Sequence, residues 1–211
     1  IYCNAENESD SEFIEFYNPT DRAVDLSGWS FSDDGGSSWV NFEKDTEKQN
    51  SLKIPAHGFF LVVDGEWPSG KDDNSWPSGD VVDEISLDNS TGEVKLRNGS
   101  GEAVDSVSYD KKTGDGQGFE RKAFSSSDIT SMRDDSDGGD GKSGNAYDSD
   151  SFTDDFVGPL SGEPQNSTSD IETSDTGENE SLLADPGGPY ECSVGEEIQL
   201  DGTASTGGNS T

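Results

Sequence analysis

One histidine, His57, two cysteines, Cys3 and Cys192, and a large surplus of carboxylates are the residues of this 211-residue chain that could do chemistry. Nucleophilic hydrolysis needs a Ser or Cys with a base beside it. The lone histidine sits in Pro55-Ala56-His57-Gly58, whose composition is that of a turn before a strand rather than of a catalytic element. Carboxylate pairs of the glycosidase kind are present in such number that their occurrence singles out no dyad. No catalytic residue is assigned, and the chain is read as a non-enzyme.

Metal binding is the more specific possibility. Asp134, Asp135, Asp137 and Asp140, interleaved with Gly138, Gly139 and Gly141, resemble the start of a calcium loop, and Asp148, Asp150, Asp154 and Asp155 follow closely enough to complete one. Hard cations take several oxygen ligands from a flexible turn. The spacing departs from the EF-hand pattern, and the alternative is a solvated acidic loop. Trp67 and Trp76 lie in the echoing tetrapeptides Trp67-Pro68-Ser69-Gly70 and Trp76-Pro77-Ser78-Gly79 of a polar insertion. They would form a platform for carbohydrate or protein, or else tuck back onto the body of the domain.

The cysteines form no Cys-x-x-Cys pair, which removes the basis for a zinc ribbon or a thioredoxin-type site. Cys3 and Cys192 pair with one another, pair with cysteines elsewhere, or stay as inert thiols. Asn-x-Ser/Thr sequons occur at Asn7, Asn89, Asn98, Asn166, Asn179 and Asn209, all in predicted turns or linkers where a glycan would be tolerated.

Lys and Arg number 13 against 46 Asp and Glu, for a formal net charge of -33. That charge excludes nucleic acid as a partner, because phosphate binding depends on Lys and Arg. It disfavours anionic membrane surfaces, and no apolar run is long enough to span a bilayer. Only 27% of the residues are apolar, so part of the chain buries little. The apolar residues concentrate before about position 110, which is where the core belongs.

Short alternating stretches separated by turn residues position these groups. Phe13-Ile14-Glu15-Phe16-Tyr17 ends at Asn18-Pro19-Thr20-Asp21, and Trp29-Ser30-Phe31-Ser32 ends at Asp33-Asp34-Gly35-Gly36. Phe59-Phe60-Leu61-Val62-Val63 lacks alternation, as a strand covered on both faces would. Glu93 to Leu96 and Ala103 to Tyr109 flank Asn98-Gly99-Ser100-Gly101 as a hairpin. The pattern predicts an all-β sandwich. From Asp128 to Asp185 sixteen acidic residues face only Arg133 and Lys142, and 166-184 reads as a flexible acidic linker.

Phe13-Ile14-Glu15-Phe16-Tyr17-Asn18-Pro19-Thr20 with Val24-Asp25-Leu26-Ser27-Gly28-Trp29 closely resembles the lamin-tail domain. Ile54-Pro55-Ala56-His57-Gly58, Ser86-Leu87, Val94-Lys95-Leu96, Val104-Asp105-Ser106-Val107-Ser108-Tyr109 and Phe119-Glu120-Arg121 follow in the family's order. The resemblance covers 1-165 and implies an immunoglobulin-like β-sandwich with an acidic, loop-rich C-terminal extension. On this reading Trp29 anchors the core, its indole N–H given a partner, and Leu26, Phe31, Leu61, Val63, Leu96 and Val107 fill the space between the sheets. Glu120-Arg121 is expected to be a structural ion pair. Residues 185-211, with Asp185-Pro186-Gly187-Gly188 and Val194 to Gly202, resemble the opening of a PKD repeat, a partial second sandwich. Both ends look clipped, as in an internal fragment of a larger microbial surface protein.

The function implied is a structural or adhesive module of an extracellular surface layer, sheath or fibre. Its partners would be other copies of itself or neighbouring surface proteins. The alternative is a carbohydrate- or calcium-binding accessory module of a larger secreted enzyme. Calcium is the one cofactor considered.

Overall fold

The alternation that marks the strands also decides which sheet each one joins. In a computed structural model, residues 1–3, 11–33, 36, 39–42 and 52–174 are described. Eleven strands carry them: β1 (Phe13–Tyr17), β2 (Val24–Asp25), β3 (Ser30–Ser32), β4 (Val40–Asn41), β5 (Lys53–Ile54), β6 (Phe59–Val63), β7 (Val81–Val82), β8 (Gly92–Arg97), β9 (Ala103–Tyr109), β10 (Gly118–Arg121) and β11 (Phe156–Leu160). Three one-turn helices interrupt them: α1 (Trp67–Gly70), α2 (Ile129–Met132) and α3 (Phe152–Asp155).

One sheet runs β1-β6-β7 and the facing sheet β4-β3-β8-β9, with β2-β5 and β10-β11 as separate pairs. The fold is all-β and immunoglobulin-like. β1 and β6 are antiparallel, with Ile14 opposite Val62 and Phe16 opposite Phe60. Every residue of β6 is buried, as its unbroken apolar run requires of a central strand. Ile14, Phe60 and Val62 meet Leu26, Phe31, Phe42, Val94 and Leu96 between the sheets. Each such side chain, fully buried, contributes about 1.5–3 kcal/mol.

The opposite face of β6 corrects the sequence-based core. Leu61 and Val63 do not point between the sheets. They pack on Tyr2, Phe13 and Trp67 in a second apolar layer on the outside of the β1-β6-β7 sheet, because successive strand side chains take opposite faces. Leu26, Phe31 and Leu96 are buried as expected, whereas Trp29 and Val107 are only partly buried against the core. Glu120 and Arg121 likewise do not pair with each other. As neighbours on β10 they point to opposite sides, Glu120 toward Arg133 and Arg121 toward Asp105, Asp148 and Asp155.

Two turns hold the frame. Buried Asn18 donates through Nδ2 to the carbonyls of Arg22 and Pro55, both at 2.8 Å, and its Oδ1 accepts from the amide and hydroxyl of Thr20. That side chain ties the β1–β2 turn to the one preceding β6. At the β8–β9 hairpin, Asn98 Oδ1 accepts from the amides of Ser100 and Glu102, and Gly101 takes the positive φ of 79° that the turn needs.

The sandwich does not give way to a linker at 166. Asn166 donates to the Ser78 carbonyl at 2.9 Å, Ser167 donates to Asp80, the Glu172 amide donates to the His57 carbonyl, and Tyr17 Oη donates to the Glu172 carbonyl. The compact unit runs Ile1–Ser174. The expected linker from 175 onward and the PKD-like segment 185-211 lie outside the described residues.

Candidate binding groove

His57 adopts a left-handed φ of 52°, which suits a turn. Its Nε2 lies 2.8 Å from Asp21 Oδ1, and that aspartate is 96% exposed. Nδ1 is buried without a hydrogen-bond partner in the described structure. No hydroxyl or thiol is bonded to the ring among the described residues. The arrangement is a braced turn, with no nucleophile for the imidazole to activate.

The proposed calcium ligands do not converge. Asp134 Oδ1 caps the Ser136 amide, Asp148 is committed to Arg121 at 3.0 Å, and Asp150 stands exposed at a left-handed φ of 60°. Asp135 and Asp137 are also exposed, and Asp140 is partly exposed in the same loop. Asp154 accepts from the Ser151 hydroxyl, while Asp155 turns inward. Among the described residues no group of three or more His, Cys, Asp or Glu is arranged to hold a metal. Asx-type turns aim Asp134 and Asp148 at backbone amides two residues on rather than at a shared centre.

The tryptophan platform is corrected as well. Trp67 is 2% exposed and roofs Leu61 and Val63. Its indole N–H donates to the Pro77 carbonyl at 2.9 Å, and Trp76 stacks on it at 5.5 Å between ring centroids. Trp67 offers no face to a ligand; Trp76 is partly buried against Tyr2 and Phe13. The polar insertion is polar on one side only, and its aromatics cover the outside of the sheet.

Of the sequons, Asn89 and Asn98 occupy partly exposed turns. Asn166 is buried, and its Oδ1 caps Thr168 while its Nδ2 is spent on Ser78; it is a structural residue. Asn7, Asn179 and Asn209 lie outside the described residues, as does Cys192. Cys3 is a free, buried thiol 3.9 Å from Thr113 Oγ1, and burial pushes its pKa up.

What the fold does assemble is a cleft of about 440 Å³ between β1, β9 and β10. Its apolar floor includes Ile14, Phe16, Leu96 and Val107. Its polar wall is built on Arg121, whose guanidinium meets Asp105 at 3.2 Å and Asp148 at 3.0 Å, with Cζ 4.8 Å above the Phe156 ring. Buried Asp155 lies 3.8 Å from the same guanidinium. Burial works against its charge, yet hydrogen bonds from Ser149 and Ser151, with Arg121, hold its carboxyl below the ordinary value.

Three glutamates behave differently. Burial pushes Glu15 up to about 8, against the Gln165 amide that donates to it, and the nearby Glu120 and Glu172 add to the effect. Burial also raises Glu172 to about 7, and raises Glu120 against the pull of Arg133. Sequence reasoning missed Glu15 and Glu172, placed Glu120 only in an ion pair with Arg121, and used Asp148 of the cleft only as a metal ligand. The available signal was an acid between two aromatics, Phe13 and Tyr17, on one face of a strand.

The Ile1 amine and carbonyl both bond Phe119 of β10, and Tyr2 bridges to Phe13. No helix among the described residues is long and apolar enough to cross a membrane. Curated proteins include none that matches this sequence. Residues 1–111, the segment that builds both sheets of the sandwich, match the Lamin Tail Domain, and the chain belongs to that family.

Proposed function

We propose that this chain is a structural or adhesive module of an extracellular surface layer, sheath or fibre, in contact with neighbouring surface proteins. The lamin tail domain is immunoglobulin-like and typically a non-catalytic module. The observation that carries the extracellular reading is the surface: a net charge of -33, with the sequon Asn89 in a partly exposed turn. High charge of one sign keeps such a module hydrated and disperse in a crowded exterior layer. The alternative of a carbohydrate- or calcium-binding accessory module loses support, with Trp67 roofed over and the loop carboxylates divergent.

Mass spectrometry of the chain isolated from its native source tests the reading. A glycan at Asn89, with Asn98 and Asn166 unmodified because their amides are committed to turns, is expected. A native chain without glycans, recovered from the cytosolic fraction, would overturn it.

A further inference from the structure

The outer face of the β4-β3-β8-β9 sheet departs from the charge of the rest of the chain. Asp and Glu make up 46 of the 211 residues. These four strands hold only Asp105 and Glu93, and both have partners, Arg121 at 3.2 Å and Lys95 at 3.0 Å. Phe31, Val40, Val94 and Leu96 turn inward to the core, so their strand neighbours turn outward. The register sets Ser30 between Asn41 and Arg97, and sets Ser106 and Ser108 opposite Lys95 and Glu93. Short hydroxyl and amide side chains therefore surround one arginine on an open sheet face.

Arg97 has no acid of its own. Its Cζ lies 3.9 Å above the ring of Trp39, and among the described residues no carboxylate or carbonyl is bonded to its guanidinium. Trp39 is itself fixed, since its indole N–H donates to the Gly36 carbonyl at 3.2 Å. Gly36 takes a φ of 104°, and a Cβ there would come within 3.2 Å of the ring, so glycine is what lets the turn close against the indole. Stacking occupies the flat face of a guanidinium and leaves the N–H groups of its edge free to donate.

We propose that the outer face of the β4-β3-β8-β9 sheet is a docking surface for a partner protein that presents an Asp or Glu side chain, received edge-on by the guanidinium of Arg97 where it lies over Trp39.

The edge of the guanidinium matches the planar fork of a carboxylate, which it meets with two parallel hydrogen bonds. Holding the side chain on Trp39 beforehand reduces the entropy lost on binding. Trp and Arg are the residues most often found at the energetic centre of an interface, and a face poor in unpaired charge is what surrounds them there. A sugar fits less well, because the guanidinium already covers one face of the indole. A second copy meeting this face with its own would set Arg97 against Arg97, with no carboxylate to offer. The net charge of -33 repels a strongly acidic body, so the partner is one whose acid stands on a neutral or basic surface. The contact does not depend on where the protein resides, so glycan mapping and the binding test fail separately.

The test uses the whole chain, isotope-labelled for NMR, and the blocked peptide Ser-Thr-Glu-Thr-Ser, with Gln in place of Glu as the control. Titration is read at the Arg97 Nε–H and Trp39 indole N–H resonances, with exposed Arg22 as the internal reference. The Glu peptide is expected to shift both resonances saturably and to bind about tenfold more tightly than the Gln peptide. Arg97→Lys keeps the charge without the fork and should lose most of that preference. Equal binding of the two peptides, an undiminished preference in Arg97→Lys, or an equal response at Arg22 would reduce the contact to non-specific ion pairing. An Arg97 Nε–H already slow to exchange in the free chain would show that an acid of the chain itself holds the guanidinium. Self-association in sedimentation that Arg97→Gln abolishes would make a second copy the occupant. Any of these results, or no saturable shift, overturns the proposal.

Discussion

Glu15→Gln should leave stability nearly unchanged in acid and increase it progressively as pH rises. Glu15 is raised from 4.5 to about 8 by burial beside Glu120 and Glu172, with the Ile1 ammonium and the Gln165 amide only partly opposing. Its folded pKa lies above its unfolded one. The folded protein therefore holds a proton that the unfolded chain releases between those values. The stabilisation is fully present below about pH 4.5 and is lost as pH rises through 8. At 1.36 kcal/mol per pH unit, a shift of this size corresponds to roughly 4–5 kcal/mol, a large share of the 5–15 kcal/mol of an ordinary domain. Gln retains the carbonyl oxygen that accepts from the Gln165 amide and cannot ionise. The variant should match the native chain within about 1 kcal/mol at pH 4.5 and exceed it by up to about 4 kcal/mol at pH 8.5. Urea unfolding followed by tryptophan fluorescence at pH 4.5, 6, 7 and 8.5 measures both curves. The difference between them removes the contribution of the other carboxylates. A gap that does not widen with pH would show that Glu15 is solvated and that the cleft is wetter than its walls suggest.

Three further substitutions probe the surroundings. Arg121→Met keeps the aliphatic stem but leaves buried Asp155 without its guanidinium, and should lower unfolding free energy by about 3–5 kcal/mol at pH 7, less at pH 3, in chemical denaturation. Trp67→Ala strips the roof from Leu61 and Val63 and should cost about 3–5 kcal/mol; a loss below 1 kcal/mol in the same assay would place α1 outside the cooperative unit. Asn166→Ala removes the bond to Ser78 and the cap on Thr168, costing about 1–3 kcal/mol, and limited proteolysis should then cut between 166 and 174 before the native chain is touched.

Where sequence and structure agree, the determinant is local. The unbroken apolar run of β6 declares a strand covered on both faces, and burial of all five residues follows. Asn98-Gly99-Ser100-Gly101 dictates the β8–β9 hairpin through a side-chain cap and one positive φ. Agreement ends where a residue's partner is far away in sequence. Asp80 is held by Ser167, 87 positions on, and Asn166 by Ser78, 88 positions back. Composition therefore made the 166–174 segment look like linker when it is part of the body. The carboxylates failed for the reverse reason. Density of Asp in 134–150 suggested a shared centre, whereas Asp134 turns to the Ser136 amide, Asp148 to Arg121, and Asp135, Asp137 and Asp150 stand exposed. The groove glutamate looked like one more solvated acid, because no local pattern reveals that residues from 165 to 172 come to lie over it.

The same distribution of charge opposes edge-to-edge pairing between copies of this chain. An exposed strand such as β9, with Val104 half exposed and no strand partner beyond β8 among the described residues, is the kind of surface that templates aggregation. Copies of this chain approach one another as strongly like-charged bodies, and that repulsion acts before any edge-to-edge hydrogen bond forms. It is screened within about 10 Å at 0.1 M salt, so protection should weaken as ionic strength rises. Sedimentation of the free chain across a salt series measures this; a chain that stays monomeric at high salt would show that charge is not what guards the edge.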